Sequence, residues 1–189
     1  MKKIKVEVSA RHCHLSRKDL DQLFGLGYEL TIYKKISQPG QFASNEMVTI
    51  KTPGGHIENV RILGPVREKT QIEISLTDAR KLKINPPVRL SGDLSKSESC
   101  ILIGPKGSVH LQEGVIVAKN HIHCDPKTAE KLNLKNKQQV SIKIESARPI
   151  IFSGVEVRID KNFVYAFHID TDEGNASLST DIKNTIIQI

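Results

Sequence analysis

One pattern occurs twice in this chain and limits what it can fold into. Val6-Glu-Val-Ser-Ala-Arg-His12-Cys-His14-Leu-Ser-Arg-Lys18 and Val115-Ile-Val-Ala-Lys-Asn-His121-Ile-His123-Cys-Asp-Pro-Lys127 each read as a short strand, a His-x-His step, a helix cap and a helix. In the same register Leu23 falls on Leu132, so the match continues into the helix. A duplicated unit of strand and helix predicts two similar domains rather than one continuous layer. Between the copies, Leu94–Ser99 exchanges apolar residues for Ser, Lys and Glu, which puts the expected boundary there: a first domain over 1–96 and a second over 97–189.

The rest of the chain is punctuated by turns every few residues. Val6–Val8, Met47–Lys51, Val60–Leu63, Thr70–Ile74, Val88–Leu90, Cys100–Ile103, Val115–Val117, Val140–Ile144, Val155–Ile159 and Phe163–His168 read as strands. Three helices interrupt them: Lys18 to Phe24 capped by Ser16, Asp78 to Leu82 capped by Thr77, and Lys127 to Leu132 opened by Asp125-Pro126. The expected fold class is mainly β with short α-helices, built as two similar β-barrel domains related by the internal repeat.

Composition narrows the function classes. Cys13, Cys100 and Cys124 are odd in number and scattered through 189 residues, which argues for free thiols in a reducing compartment rather than a disulfide framework. No apolar run approaches the ~18 residues of a membrane span. A net charge of +7 suits nucleic acid, an acidic surface or a polyanionic small molecule, but five Phe, three Tyr and no Trp are too few for the stacking that single-stranded nucleic acid requires. A phosphorylated small ligand is therefore the better match, with neither nucleic acid nor membrane as partner.

Side chains two apart on an extended segment share a face, so each His-x-His step directs two imidazoles at one point. That is metal-ligand spacing, and two such pairs at equivalent points of a repeat point to two ions, with Zn²⁺ the first choice for imidazole in a reducing compartment. Further ligands are expected at strand ends. Glu73 sits inside an otherwise apolar strand that Arg67 leads into, and His168 closes another apolar strand ahead of Asp170, Asp172 and Glu173. The plainer alternatives are a salt-bridged carboxylate for Glu73, a turn arginine for Arg67 and a solvated acidic turn at 170–173. His56 and His110 lack comparable settings and read as solvated. Cys124, one step past His123, faces the core.

Taken together, Ser9-Ala-Arg-His-Cys-His-Leu-Ser16, Gly64-Pro-Val-Arg67, Gln71-Ile-Glu-Ile-Ser75, Pro87-Val-Arg-Leu-Ser-Gly-Asp93, Ile103-Gly-Pro-Lys-Gly107, Asn120-His-Ile-His123 and His168-Ile-Asp-Thr-Asp-Glu-Gly-Asn-Ala176 resemble the PduL-type phosphate acyltransferases, or phosphate propanoyltransferases, over essentially the whole chain. The resemblance implies a two-barrel enzyme with a dinuclear zinc centre that converts a short-chain acyl-CoA, acetyl- or propanoyl-CoA, and inorganic phosphate reversibly into acyl phosphate and CoA. It implies His12, His14, Glu73, His121, His123 and His168 as metal ligands, Arg67 as the catalytic phosphate holder, and Lys34, Leu63 and Asn175 as CoA-channel positions. Cys13 stands where the family commonly has Val, and Asn120 where it often has Arg; Cys13 is thereby a candidate extra thiolate near the metals.

A dinuclear zinc hydrolase using the same ligands is the alternative activity, distinguished by thioester loss without phosphate. A basic barrel that binds nucleic acid around a structural zinc is a further rival, opposed by the scarcity of aromatics. The first strand begins close to Met1, so no amino-terminal targeting helix is expected, and the location expected is the cytoplasm. A homodimer is compatible with all of this.

Overall fold

The computed structural model describes residues 2–178 and 185–188. In chain order these form β1 (Lys2–Ile4), β2 (Val6–Ser9), β3 (His12–His14), α1 (Arg17–Phe24), β4 (Ile32–Lys35), β5 (Phe42–Thr52), β6 (Gly55–Gly64), β7 (Gln71–Ile74), α2 (Leu76–Leu82), β8 (Val88–Arg89), β9 (Glu98–Ile103) and β10 (Ser108–Ala118). There follow β11 (His121–Cys124), α3 (Pro126–Leu132), β12 (Gln139–Ile144), β13 (Ile150–Ile159), β14 (Ala166–Asp170), α4 (Thr171–Ser177) and β15 (Thr185–Gln188). The chain forms two compact units, Ala10–Lys119 and Met1–Ser9 joined with Asn120–Ile189. The expected linker at Leu94–Ser99 lies inside the first of these, where Leu94 and Ser97 are buried and β9 starts at Glu98.

In the unit Ala10–Lys119, β5 pairs with β6, β6 with β3, β3 with β7, β7 with β10, β10 with β9, and β9 again with β5, closing a six-stranded barrel. Closure follows from strict alternation along the long strands: Ser44, Glu46, Val48, Ile50 and Thr52 of β5 are all buried while their neighbours are less so. Leu15, Leu20, Leu23, Ile50, Ile62, Ile72, Leu82 and Leu102 fill this core without measurable exposure. Each contributes about 1.5–3 kcal/mol from burial. The β5–β6 hairpin tip lies against the end of α2, where a Cβ on Gly55 would stand 2.4 Å from the Lys81 carbonyl oxygen, so only glycine fits.

In the other unit the strand order is β1-β15-β12-β13-β11-β14-β2, and β1 and β2 are separated in sequence by Lys5 alone. Its core gathers Ile122, Cys124, Ile142, Ile144, Val155, Val157 and Phe167. No described helix is long and apolar enough to cross a membrane.

Several local expectations change. The cap of α2 is Ser75 rather than Thr77: Ser75 is extended (φ −84°, ψ 167°) and its Oγ accepts from the Asp78 N–H. The acidic run after His168 is not a solvated turn but α4, with Asp170 as N-cap accepting from the Glu173 N–H and Glu173 reaching back to the Asp170 N–H. This capping box is legible in the Asp-Thr-Asp-Glu spacing. The last expected strand begins at Ala166, not Phe163, because Lys161 and Asn162 form a turn that Asp160 closes by accepting from the Phe163 N–H.

Candidate functional site

β3 lies between β6, parallel to it, and β7, antiparallel to it. The antiparallel register puts His12 opposite Glu73, Cys13 opposite Ile72 and His14 opposite Gln71. Period two then divides these six residues cleanly: His12, His14, Gln71 and Glu73 share one face, while Cys13 and Ile72 point into the barrel core. Burial pushes the Cys13 thiol well up, with Cys100 adding to the shift, so Cys13 is a protonated core residue and not an extra thiolate.

The ligand atoms of His12, His14 and Glu73 all lie within 4.8 Å of one another, the one such group of three among the described residues. Each ring is oriented from behind. The Nδ1 of His12 is 2.8 Å from the Ala10 carbonyl oxygen, and that of His14 is 3.0 Å from the Leu63 carbonyl oxygen. A carbonyl can only accept, so Nδ1 carries a proton in both rings and Nε2 is the nitrogen turned toward the group. His12 Nε2 stands 3.6 Å from Glu73 Oε2. Burial, then the neighbouring His12 and Arg67, lower His14 to about 3, which keeps it neutral. Burial alone would raise Glu73, but His12, His14, a hydrogen bond from Ser91 and Arg67 outweigh it and hold the carboxyl below its usual range. Two imidazoles and one carboxylate form a donor set that suits Zn²⁺ with a position left open.

Arg67 is fixed beside this group. Its backbone N–H donates to the Leu15 carbonyl oxygen at 2.9 Å, and its Nη1 donates to Ser91 Oγ at 3.0 Å. Gln71 completes the surroundings, donating from Nε2 to Glu73 Oε1 and, at 2.8 Å, to Ser91 Oγ.

In the other unit β11 lies between β13, parallel, and β14, antiparallel, with His121 opposite His168 and His123 opposite Ala166. The rings of His121, His123 and His168 gather with centroids 4.5–5.2 Å apart. His123 also stacks on Phe163 at 3.8 Å. Burial, with His168, His121 and Arg158 behind it, lowers His123 to about 2. Its Nδ1 is buried and has no hydrogen-bond partner among the described residues. A stranded ring nitrogen of this kind costs about 1–3 kcal/mol unless something outside the protein meets it. Glu7 stands beside His168 in register, with its Oε2 3.9 Å from His168 Nδ1.

Of the six expected ligands, His12, His14 and Glu73 bring their ligand atoms together in one unit, and the rings of His121, His123 and His168 gather in the other. Lys34 is exposed on β4, Asn175 is exposed on α4, and Leu63 is half-buried with its carbonyl engaged by His14. His56 and His110 are exposed. Sequence reasoning missed Gln71, Ser91, Glu7 and Phe163. Gln71 was within reach of the two-residue rule, since it precedes Glu73 by one pleat; Ser91 comes from a distant turn and carries no local signal.

The phosphate propanoyltransferase family model matches residues 5–180. The chain is 53% identical over 174 residues to a phosphate propanoyltransferase of Thermotoga maritima, covering 92% of this chain and 83% of that protein. It is 50% identical over 186 residues to one of Listeria monocytogenes, covering 98% and 87%. It is also 50% identical over 173 residues to one of Clostridioides difficile, covering 92% and 83%. With a family match along nearly the whole chain and relatives at this identity, the chain belongs to the phosphate propanoyltransferase family.

Proposed function

We propose that this protein is a zinc-dependent phosphate acyltransferase, moving a short acyl group, acetyl or propanoyl, between CoA and inorganic phosphate. The observation that carries the reading is the convergence of His12, His14 and Glu73, with both rings oriented from behind, next to an arginine held by the same hydrogen-bond network. Phosphate propanoyltransferase is also the name its relatives bear.

In the reaction a phosphate oxygen forms a bond to the thioester carbonyl carbon, the C–S bond breaks, and CoA leaves as its thiol or thiolate. Arg67 supplies a planar fork matched to phosphate oxygens. Holding the dianion against the thioester removes the entropy of a bimolecular encounter, worth up to about 7–11 kcal/mol in the best cases. Zinc, when held by His12, His14 and Glu73 and by His121, His123 and His168, supplies Lewis acidity toward the carbonyl oxygen. The orphaned Nδ1 of His123 supports a cation at the second group. Lys34, Leu63 and Asn175 are proposed to contact CoA.

We infer that the two units are also copies of one ancestral barrel. The registers support this: β3 and β11 each have one parallel and one antiparallel neighbour, and Glu73 opposite His12 corresponds to His168 opposite His121.

The test is CoA release from acetyl-, propanoyl- and butanoyl-CoA with and without phosphate. Release that requires phosphate and yields acyl phosphate is expected. Thioester loss at the same rate without phosphate would make the protein a hydrolase and overturn the reading.

A further inference from the structure

We propose that Ser91 is a positioning residue that ties the Arg67 fork to the Glu73 carboxylate and so sets the phosphate affinity of the site; this rests on the reading of Arg67 as the phosphate holder.

The argument is one of hydrogen-bond capacity. A serine hydroxyl has one proton to give and two lone pairs. Arg67 Nη1 at 3.0 Å and Gln71 Nε2 at 2.8 Å occupy both lone pairs of Ser91 Oγ. The single O–H must therefore point elsewhere, and the Glu73 carboxylate is the acceptor beside it. Gln71 is equally determined. Its two N–H groups go to Glu73 Oε1 and Ser91 Oγ, and its Oε1 accepts from the Gly92 N–H at 2.7 Å. Turning the amide over would set its oxygen against a carboxylate and its NH₂ against an N–H donor, so one orientation survives.

The turn is shaped for this. Gly92 has φ +102°, a left-handed conformation that side chains rarely adopt, although a Cβ there would meet nothing within 4 Å. Glycine is needed for the backbone alone, and that backbone lets two successive residues read the Gln71 amide with opposite polarity, Ser91 as acceptor and Gly92 as donor. The Gln71 amide and the Ser91 hydroxyl are then fully matched, and the Arg67 guanidinium is tied to them through Nη1 before phosphate arrives. An arginine already oriented gives up less side-chain freedom on binding.

The comparison is wild type, Ser91→Ala and Ser91→Thr, read by calorimetric titration with inorganic phosphate, by the KM for phosphate and for acyl-CoA separately, and by Tm. Ser91→Ala is expected to weaken phosphate about tenfold in both Kd and KM, as befits one lost hydrogen bond to a charged group, and to shift the KM for acyl-CoA less than about twofold. Ser91→Thr keeps the hydroxyl and should restore phosphate binding to within about threefold. Gln71→Met removes the other partner and carries the same comparison if Ser91→Ala does not fold. Equal changes in both KM values, or none in either, would make Ser91 a mere turn residue and overturn the proposal. Phosphate-independent thioester loss by wild type, with phosphate binding still weakened by Ser91→Ala, would sink the transferase reading and leave the Ser91 network standing.

Discussion

Acidification should destabilise the metal-free protein through His14, and the size of the effect follows from the fold. His14 is 2% exposed, donates from Nδ1 to the Leu63 carbonyl, and is lowered by burial and by His12 and Arg67 from 6.5 to about 3. A histidine whose folded pKa lies below its unfolded one leaves stability untouched above pH 6.5, where both states are neutral. Stability then falls with pH between 6.5 and about 3, where only the unfolded chain takes the proton. At pH 5 the unfolded side chain is almost fully protonated and the folded one almost fully neutral, so the loss relative to pH 7 is about 2 kcal/mol from this residue. The assay is urea unfolding at pH 7 and pH 5 in the presence of a chelator, comparing wild type with His14→Asn, whose amide nitrogen can still donate to Leu63 but cannot titrate. The variant should lose about 2 kcal/mol less than wild type over that interval. Identical losses in the two proteins would refute the claim that His14 is held neutral by its surroundings.

Other consequences are quicker to check. Chelation should abolish acyl transfer and added zinc restore it, and His123→Ala should lose far more activity than His110→Ala, whose side chain is exposed; full activity in protein shown by metal analysis to be zinc-free would contradict the ligand assignment. Arg67→Lys should keep the fold and raise the KM for phosphate by about tenfold or more, since an ammonium cannot reproduce the fork; an unchanged phosphate dependence places Arg67 outside the site.

What could be read from the sequence was whatever obeys a local period. The His-x-His steps and Glu73 are side chains on strands, where alternation decides the face, and a carboxylate in an apolar run stands out because burying a charge needs a reason. The same alternation sends Cys13 inward, so its proximity in sequence to the two histidines misled. β4 escaped notice because Ile32 and Tyr33 are exposed and Lys34 and Lys35 follow, leaving no buried face to create a pattern. α4 was hidden by its own caps: Asp170, Asp172 and Glu173 look like a solvated turn until the spacing from Asp170 to Glu173 is taken as a capping box. Burial pushes the Glu173 carboxyl up against the bonds it accepts from Asp170 and Asn120, which no count of charges anticipates. Ser91 and Gln71 meet across twenty residues of chain, a pairing that only the closed barrel creates.

On the proposed reading of Arg67 as the phosphate holder, the carboxylate opposite His12 gives an arginine network its task on this face. Glu73 is ionised, and a phosphate dianion about 5 Å from it would be repelled by about 2 kcal/mol in a water-like medium and by about 7 kcal/mol at an effective dielectric of 20. A metal ion held there would make a net positive centre, much of whose charge would be offset by Glu73 itself. Arg67 adds a cation that never deprotonates, and the bonds that Ser91 and Gln71 make to Glu73 draw its charge toward the same network and away from the open face. At the second group the position opposite His121 is His168, with Glu7 Oε2 3.9 Å from its Nδ1 and Arg158 acting on His123. The same backbone register therefore sets a carboxylate directly opposite a histidine in one group and in register beside one in the other, and the proposed role of Arg67 as phosphate holder stands or falls with the Arg67→Lys measurement.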